Sequence, residues 1–331
     1  MKYPEPLKPQ NNIGASGQGG LSTSSKSSTS RGYLIALAAT VILSLTGILM
    51  SYLLREFAIP PLVLAFWRAF FVSLGLLVLL GVIQPKLLWL DRSNWRFMLF
   101  FGLVLAAFNS FWTFSVQING AAIGTVLAYS SPAFTALISR WLLAEKITGI
   151  KIVSILFTIS GIILVAQAYE LASWRLYPLG ILFGVLTGFM YAVYSLLGKQ
   201  AAIKSINSWT SLFHIFSVAS GFLLIFILIS DSISTLTPLS NLFWLEDSFD
   251  GWMILLLLSL GPTIGGFGLY IMSLGLLPAT VVNLIAASEP VFTAGLAYLL
   301  WGEKLNSIQL FGAGLILISV ILLRVRAQSD S

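Results

Sequence analysis

The sequence contains no cysteine and only one histidine among its 331 residues. The absence of cysteine excludes disulfide bonds, thiolate nucleophiles and cysteine-ligated metals. The single histidine, His214, cannot supply the clustered ligands of a zinc site, and no HExxH pattern occurs. The sequence therefore predicts neither a metal nor another cofactor. Since an enzyme at a membrane would need clustered carboxylates, histidine or serine, we do not expect one.

Charged residues are scarce as well. They make up 9% of the sequence, against 57% apolar residues, and the mean hydropathy is +0.94. Soluble domains do not have this composition. Apolar runs that are long enough to cross a hydrocarbon core of about 30 Å recur after residue 31, and a helix satisfies its own backbone in lipid. The sequence predicts an all-α integral membrane protein.

Ten transmembrane helices are predicted along the chain. They cover residues 32–54, 62–83, 95–116, 121–143, 149–168, 178–198, 209–230, 252–274, 278–300 and 306–324. The preceding residues 1–31 are rich in serine, threonine, glycine and proline. This composition predicts a disordered cytoplasmic tail rather than a cleaved signal peptide.

The basic residues predict the orientation of these spans. With an even number of spans both termini share one side, and that side receives most of the lysines and arginines, among them Lys86, Arg92, Arg96, Arg140, Lys146, Lys151, Lys199 and Arg324. By the positive-inside rule this side is cytoplasmic, in a plasma (inner) membrane. The net charge of +6 then reflects topology, and we expect a lipid bilayer as partner and no nucleic acid.

The chain also repeats itself. AAIGTVLAYSSPAFTALISRWLLAEK, from Ala121, aligns with ATVVNLIAASEPVFTAGLAYLLWGEK, from Ala279. The pairs in register include Pro132 with Pro290, Thr135 with Thr293 and Glu145 with Glu303, and weaker alignments pair Arg68 with His214. We predict two five-helix repeats, at 32–168 and 178–325. Because five is odd, the second copy is inverted, as in alternating-access transporters.

The phrases SSPAFTALISRWLLAEKIT and SEPVFTAGLAYLLWGEKLN resemble the EamA-type branch of the drug/metabolite transporter superfamily. The resemblance covers residues 33–324 and implies export or exchange of small metabolites, often amino acids or related compounds. The first span lacks the glutamate of the small multidrug-resistance branch, so the resemblance does not extend to that proton-coupled mechanism. A channel or a non-transporting membrane sensor is the alternative, although no filter-like loop or charged ring is visible.

Three ionisable side chains within spans are candidates for substrate binding. Glu289 lies near the middle of its span, where a charge is costly. It either binds substrate and carries a coupling proton, or it satisfies backbone freed by Pro290. Arg68 either holds an anionic group in the protein interior or snorkels to the interface. His214 is either a packing residue or a binding and proton-coupling residue.

Polar and aromatic residues on shared helix faces complete the predicted substrate site. They are Asn109, Trp112, Thr125, Tyr129, Tyr191, Tyr194, Tyr270 and Asn283. Asn283 lies about 120° around its helix from Glu289, so one of the two should face a neighbouring helix. Glu145 and Glu303 end their spans either as solvated charges or as gate contacts between repeats. Gly180, Gly184 and Gly188, like Gly261 and Gly265, predict close helix packing.

Overall fold

A computed structural model describes residues 18–119, 121–165, 168–169, 178–233, 242–301 and 306–329. Nearly all of these residues belong to helices. In chain order the helices are α1 (Gln18–Glu56), α2 (Pro61–Ile83), α3 (Trp95–Asn119), α4 (Ala121–Ala128), α5 (Ser131–Leu142), α6 (Gly149–Val165), α7 (Pro178–Ile203), α8 (Ser208–Ile233), α9 (Phe249–Leu258), α10 (Ile264–Leu276), α11 (Ala279–Ala286), α12 (Glu289–Trp301) and α13 (Ser307–Ser329).

Helix α1 begins earlier than the sequence predicts. The predicted tail covered residues 1–31, but the structure is helical from Gln18 onward. Extending a helix that the apolar span has already nucleated adds one hydrogen bond per residue, so a weak helix-forming segment can join it. Residues 1–17 of the predicted tail lie outside the described residues.

Seven helical segments within the described residues are long and apolar enough to cross a membrane, judged by length and composition. They are Thr29–Leu54, Pro61–Ile83, Arg92–Val116, Pro178–Ile203, Ser208–Ile229, Phe249–Leu276 and Ala279–Leu296, and two shorter apolar helices are Gly149–Val165 and Ser307–Leu323. Large apolar side chains such as Val82 and Phe311 are exposed on the outside. The count of ten spans in two inverted repeats stays a prediction.

Proline breaks two of the predicted spans at equivalent places. Pro132 cannot donate to the carbonyl of Ala128, and α4 ends at Ala128; Pro290 cannot donate to Ala286, and α11 ends there. Short turns fill both breaks, because Ser130 N donates to Leu127 O at 3.1 Å and Ser288 N donates to Ile285 O at 3.0 Å. The two segments that align in sequence are thus each divided into two shorter helices.

A third interruption lies between α9 and α10. Ser259–Thr263 form a π-helical turn that contains Pro262. The span predicted over 252–274 is present as one segment, Phe249–Leu276, and the π-helical turn within it was not predicted. Because proline cannot make the regular bond to the preceding turn, the helix widens locally instead of ending.

Helices from the two halves of the chain pack against each other. In the first half, α3 lies against α7 and α8, while α1 lies against α10, α11 and α12. Glycines permit the closest approaches: a carbon added at Gly161 would lie 2.6 Å from the carbonyl oxygen of Gly312, between α6 and α13. Gly184 and Gly188 are packed as predicted, whereas Gly261 has open space around it, so that part of the packing prediction is wrong.

Candidate functional site

The centre of the site is a hydrogen bond between the two proline breaks. Tyr129 lies in the turn between α4 and α5, and Glu289 is the first residue of α12. The Tyr129 hydroxyl donates to Glu289 Oε2 at 2.8 Å. A carboxylate in the first turn of a helix is also stabilised by the helix dipole. The two breaks therefore meet through Tyr129, which the sequence predicts from its helix face, and Glu289, which the sequence predicts from its charge.

Arg68 supplies a buried positive charge to the same region. Its side chain on α2 is 6% exposed. Nη2 donates to Asn109 Oδ1 on α3, and Nη1 donates to the sulfur of Met50 on α1 at 3.2 Å. Thioether sulfur is a weak acceptor. Nε of Arg68 is buried without a hydrogen-bond partner among the described residues, so this guanidinium retains unused donors.

Arg68 and Glu289 do not neutralise each other directly. Among the described residues no ion pair forms between them, which places their charged atoms more than 4.0 Å apart. They are nevertheless close enough to interact electrostatically. An arginine that lies apart from its nearest carboxylate in the protein interior can accept an anionic group, while the carboxylate can accept a cationic one.

Three tyrosines form an aromatic wall next to this pair. Tyr191 and Tyr194 lie on α7 and Tyr270 on α10, and all are buried. The ring centroids are 6.0 Å apart for Tyr191 and Tyr270 and 6.2 Å apart for Tyr194 and Tyr270. The face periodicity of α7 thus predicted residues that the structure does bring together.

Asn283 is part of a polar interface between helices. It lies on α11 and is fully buried. Its Nδ2 donates to Thr135 Oγ1 at 3.1 Å and to Ser195 Oγ at 2.9 Å, while its Oδ1 accepts from Ser131 at 2.9 Å. Of Asn283 and Glu289, Asn283 is therefore the residue that faces neighbouring helices. These bonds use its amide to join α5, α7 and α11.

The remaining predicted residues are less closely connected to this centre. His214 lies on α8, where its Nδ1 pairs with Thr210 O at 2.9 Å and its ring contacts Trp95 and Phe213. These contacts fit the packing role. Trp112 on α3 is partly buried against the core. The side chain of Thr125 lies outside the described residues.

Sequence reasoning missed several polar residues near the site. Met50 contacts Arg68, and Thr46, one turn earlier on α1, has a buried hydroxyl without a partner among the described residues. Ser131, Thr135 and Ser139 lie four residues apart along α5 and are buried. That spacing of hydroxyls in an apolar helix was the signal that could have revealed a polar face.

Apolar helices, a buried arginine near a glutamate and two broken helices define an integral, multi-pass membrane protein with polar residues inside the helical core. The model of the EamA-like transporter family matches residues 30–167 and again residues 178–325. The chain belongs to the EamA-like transporter family, which confirms the resemblance seen in its sequence.

Relatives and one solved structure agree with this assignment. An uncharacterized transporter of Archaeoglobus fulgidus is 24% identical over 283 residues, covering 84% of this chain and 93% of its own. The pseudopaline exporter of Pseudomonas aeruginosa is 23% identical over 295 residues, covering 88% and 95%. A protein of known crystal structure superposes with a TM-score of 0.70 over 89% of this chain and 97% of its own; at 15% identity this likeness shows the fold alone.

Proposed function

We propose that this protein is a secondary active transporter that exports or exchanges small metabolites, amino acids or related compounds among them, by alternating access. One observation carries the proposal: the contact between Tyr129 and Glu289 joins the breaks of two helices that are related in sequence. Substrate sites of inverted-repeat transporters lie at such interrupted helices near the middle of the membrane.

The separated charges of Arg68 and Glu289 support a substrate that carries both signs. An amino acid presents a carboxylate, which matches the arginine fork, and an ammonium group, which matches a carboxylate. Tyr191, Tyr194 and Tyr270 add aromatic surface beside these charges, and an ammonium group is also attracted to aromatic faces. The exporter of pseudopaline among the relatives is consistent with export of a small polar molecule.

The proposed architecture is that of ten spans in two inverted repeats, with both termini in the cytoplasm and the protein in the plasma (inner) membrane. The distribution of basic residues and the matched breaks at Pro132 and Pro290 support it. Glu289 is the proposed site of a coupling proton, since a carboxylate in the protein interior can exchange its charge for a proton as the substrate leaves.

Counterflow in liposomes tests this function. The purified protein is reconstituted with a panel of unlabelled amino acids and metabolites inside, and uptake of the labelled compound is measured with and without a pH gradient. Saturable uptake that is accelerated by internal substrate supports a transporter. Non-saturable ion current would instead identify a channel, and the absence of any flux would favour a membrane sensor.

A further inference from the structure

A second polar contact joins the two halves of the chain at one end of the helical bundle. Glu145 follows α5, in the first match of the family model, and Ala279 and Thr280 begin α11, in the second. Glu145 Oε1 accepts from the backbone nitrogen of Ala279 at 2.8 Å, and Oε2 accepts from the hydroxyl of Thr280 at 2.9 Å. One carboxylate therefore holds the start of a helix from the other half.

This contact caps a helix that has no cap of its own. Pro278 occupies the N-cap position of α11 and makes no side-chain cap hydrogen bond. The first amides of a helix lack partners within the helix and carry the positive end of its dipole. A carboxylate that accepts from such an amide makes a charge-assisted hydrogen bond, which belongs to the strong class. The side chain of Glu145 is 11% exposed, so solvent weakens this interaction little.

The interface between α5 and α11 continues from Glu145 toward the substrate site. Ser139 and Thr280 share a hydrogen bond of 3.2 Å. The hydroxyl groups of Ser131 and Thr135 are each hydrogen-bonded to the side chain of Asn283. We name this interface the α5–α11 seam; it consists of Ser131, Thr135, Ser139 and Glu145 on one side and Ala279, Thr280 and Asn283 on the other. Every hydroxyl and amide side chain in it is buried.

The backbone before Glu145 adopts a costly conformation. Ala144 has φ 51°, in the left-handed region that a residue with a Cβ rarely occupies. In this conformation Glu145 N donates to Ser139 O at 3.2 Å, which ends helix α5. The carboxylate of Glu145 then points toward α11. A left-handed residue after the last turn is a common way for a helix to end, and here it fixes the position of Glu145 relative to α5.

The described part of α12 is less buried than the equivalent part of α5. Thr135 is fully buried on α5, but its counterpart Thr293 on α12 is only partly buried. Ser131 is likewise fully buried and its counterpart Glu289 is not. Helix α12 packs mainly against α1 instead. The seam is therefore packed closed at the end of the bundle where Glu145 lies.

We propose that Glu145 is a gate latch: its carboxylate keeps the α5–α11 seam closed, and it must release the start of α11 before the substrate site opens to the Glu145 side. This proposal rests on the proposed transport function. It assigns to Glu145 a role in the conformational cycle rather than in substrate binding.

A cysteine reporter tests the latch, because the natural chain has no background cysteine. Ala136→Cys places a thiol on the buried face of α5, at a side chain that is 4% exposed. In membrane vesicles, an impermeant maleimide is applied from the Glu145 side and the labelling rate is measured. Adding Glu145→Ala should raise this rate about tenfold or more, since charge-assisted hydrogen bonds are lost from the closed state.

Two further variants separate the latch from general damage. Lys151→Gln removes the ion pair of 3.4 Å with Glu145 but leaves both contacts to α11. Its labelling rate should stay well below that of Glu145→Ala, because both contacts that hold the start of α11 remain. Thr280→Val removes one of the two contacts and should give an intermediate rate. If Glu145→Ala does not fold, the labelling rate of Thr280→Val is compared with that of Lys151→Gln instead.

Unchanged labelling in Glu145→Ala and Thr280→Val, or an equal rise in Lys151→Gln, would overturn the latch. Labelling requires no substrate, so its result is independent of the counterflow assay. The predicted labelling pattern without counterflow would support the latch and refute the transport function. Counterflow with unchanged labelling would refute the latch alone.

Discussion

The charge and planar shape of Arg68 give the sharpest test of the substrate site. Arg68→Gln removes the positive charge, and Arg68→Lys keeps the charge but loses the planar fork. Both replacements also remove the hydrogen bond from Nη2 to Asn109, so the stability of each variant is measured beside its affinity. In variants of normal stability, a difference in affinity reports on what the guanidinium offers to a substrate.

The expected magnitude follows from the unused donors of the guanidinium. A hydrogen bond to a charged group contributes about 1.5–3 kcal/mol, which corresponds to about 10- to 150-fold in affinity. Arg68→Lys should lose one arm of a bidentate contact and fall near the lower value, and Arg68→Gln should fall near the upper value. Two donors are available for this contact. Nε has no partner among the described residues, and Nη1 donates only to the weak sulfur acceptor of Met50.

The assay is the concentration dependence of counterflow, corrected for the amount of reconstituted protein. Arg92→Gln is the matched control, since Arg92 is exposed in a short turn before α3 and should show normal apparent affinity. Melting temperatures in detergent exclude misfolding. Normal apparent affinity in Arg68→Gln would refute the reasoning and leave Arg68 as an interface anchor.

Three further predictions concern topology, coupling and packing. Labels placed near Lys86 and near Asp247 should report opposite sides of the membrane, and labelling from one side at both positions would contradict the inverted arrangement. Glu289→Gln, which fixes a neutral side chain, should still exchange substrate for substrate but lose accumulation driven by a pH gradient; retained accumulation would exclude Glu289 as the coupling site. Gly188→Ala should lower the melting temperature, because the added carbon would lie 2.9 Å from the carbonyl oxygen of Leu127, whereas Gly261→Ala, with open space around it, should melt at nearly the parent temperature.

Patterns that depend on local chemistry were predictable. Apolar length predicted the long helices, and tyrosines on one face of α7 predicted a cluster that the structure contains. The charge of Glu289 within an apolar run marked one side of the central contact with Tyr129. In each case the property that forms the structure, whether hydrophobicity, periodicity or a buried charge, is visible within a short segment.

Partners that are distant in sequence were not predictable in the same way. The sequence leaves Glu145 as either a solvated charge or a gate contact, and only the folded chain shows its contact with Ala279. The repeat alignment paired Arg68 with His214, but the neighbours of His214 are set by its position along α8 beside Trp95. Pro262 widens its helix while Pro132 interrupts one, and surrounding packing decides between these outcomes.

The proline breaks also have a mechanical consequence. A continuous helix transmits a rotation or a tilt along its whole length, but a span that is divided into two short rods does not. Helix α11 packs into the seam as well as against α1, whereas α12 packs mainly against α1, so the two rods of one span share only some of their neighbours. The breaks lie in the interior of the bundle rather than in connecting loops. In the proposed transport cycle, such a break would let one half of a span tilt while the other half keeps its packing.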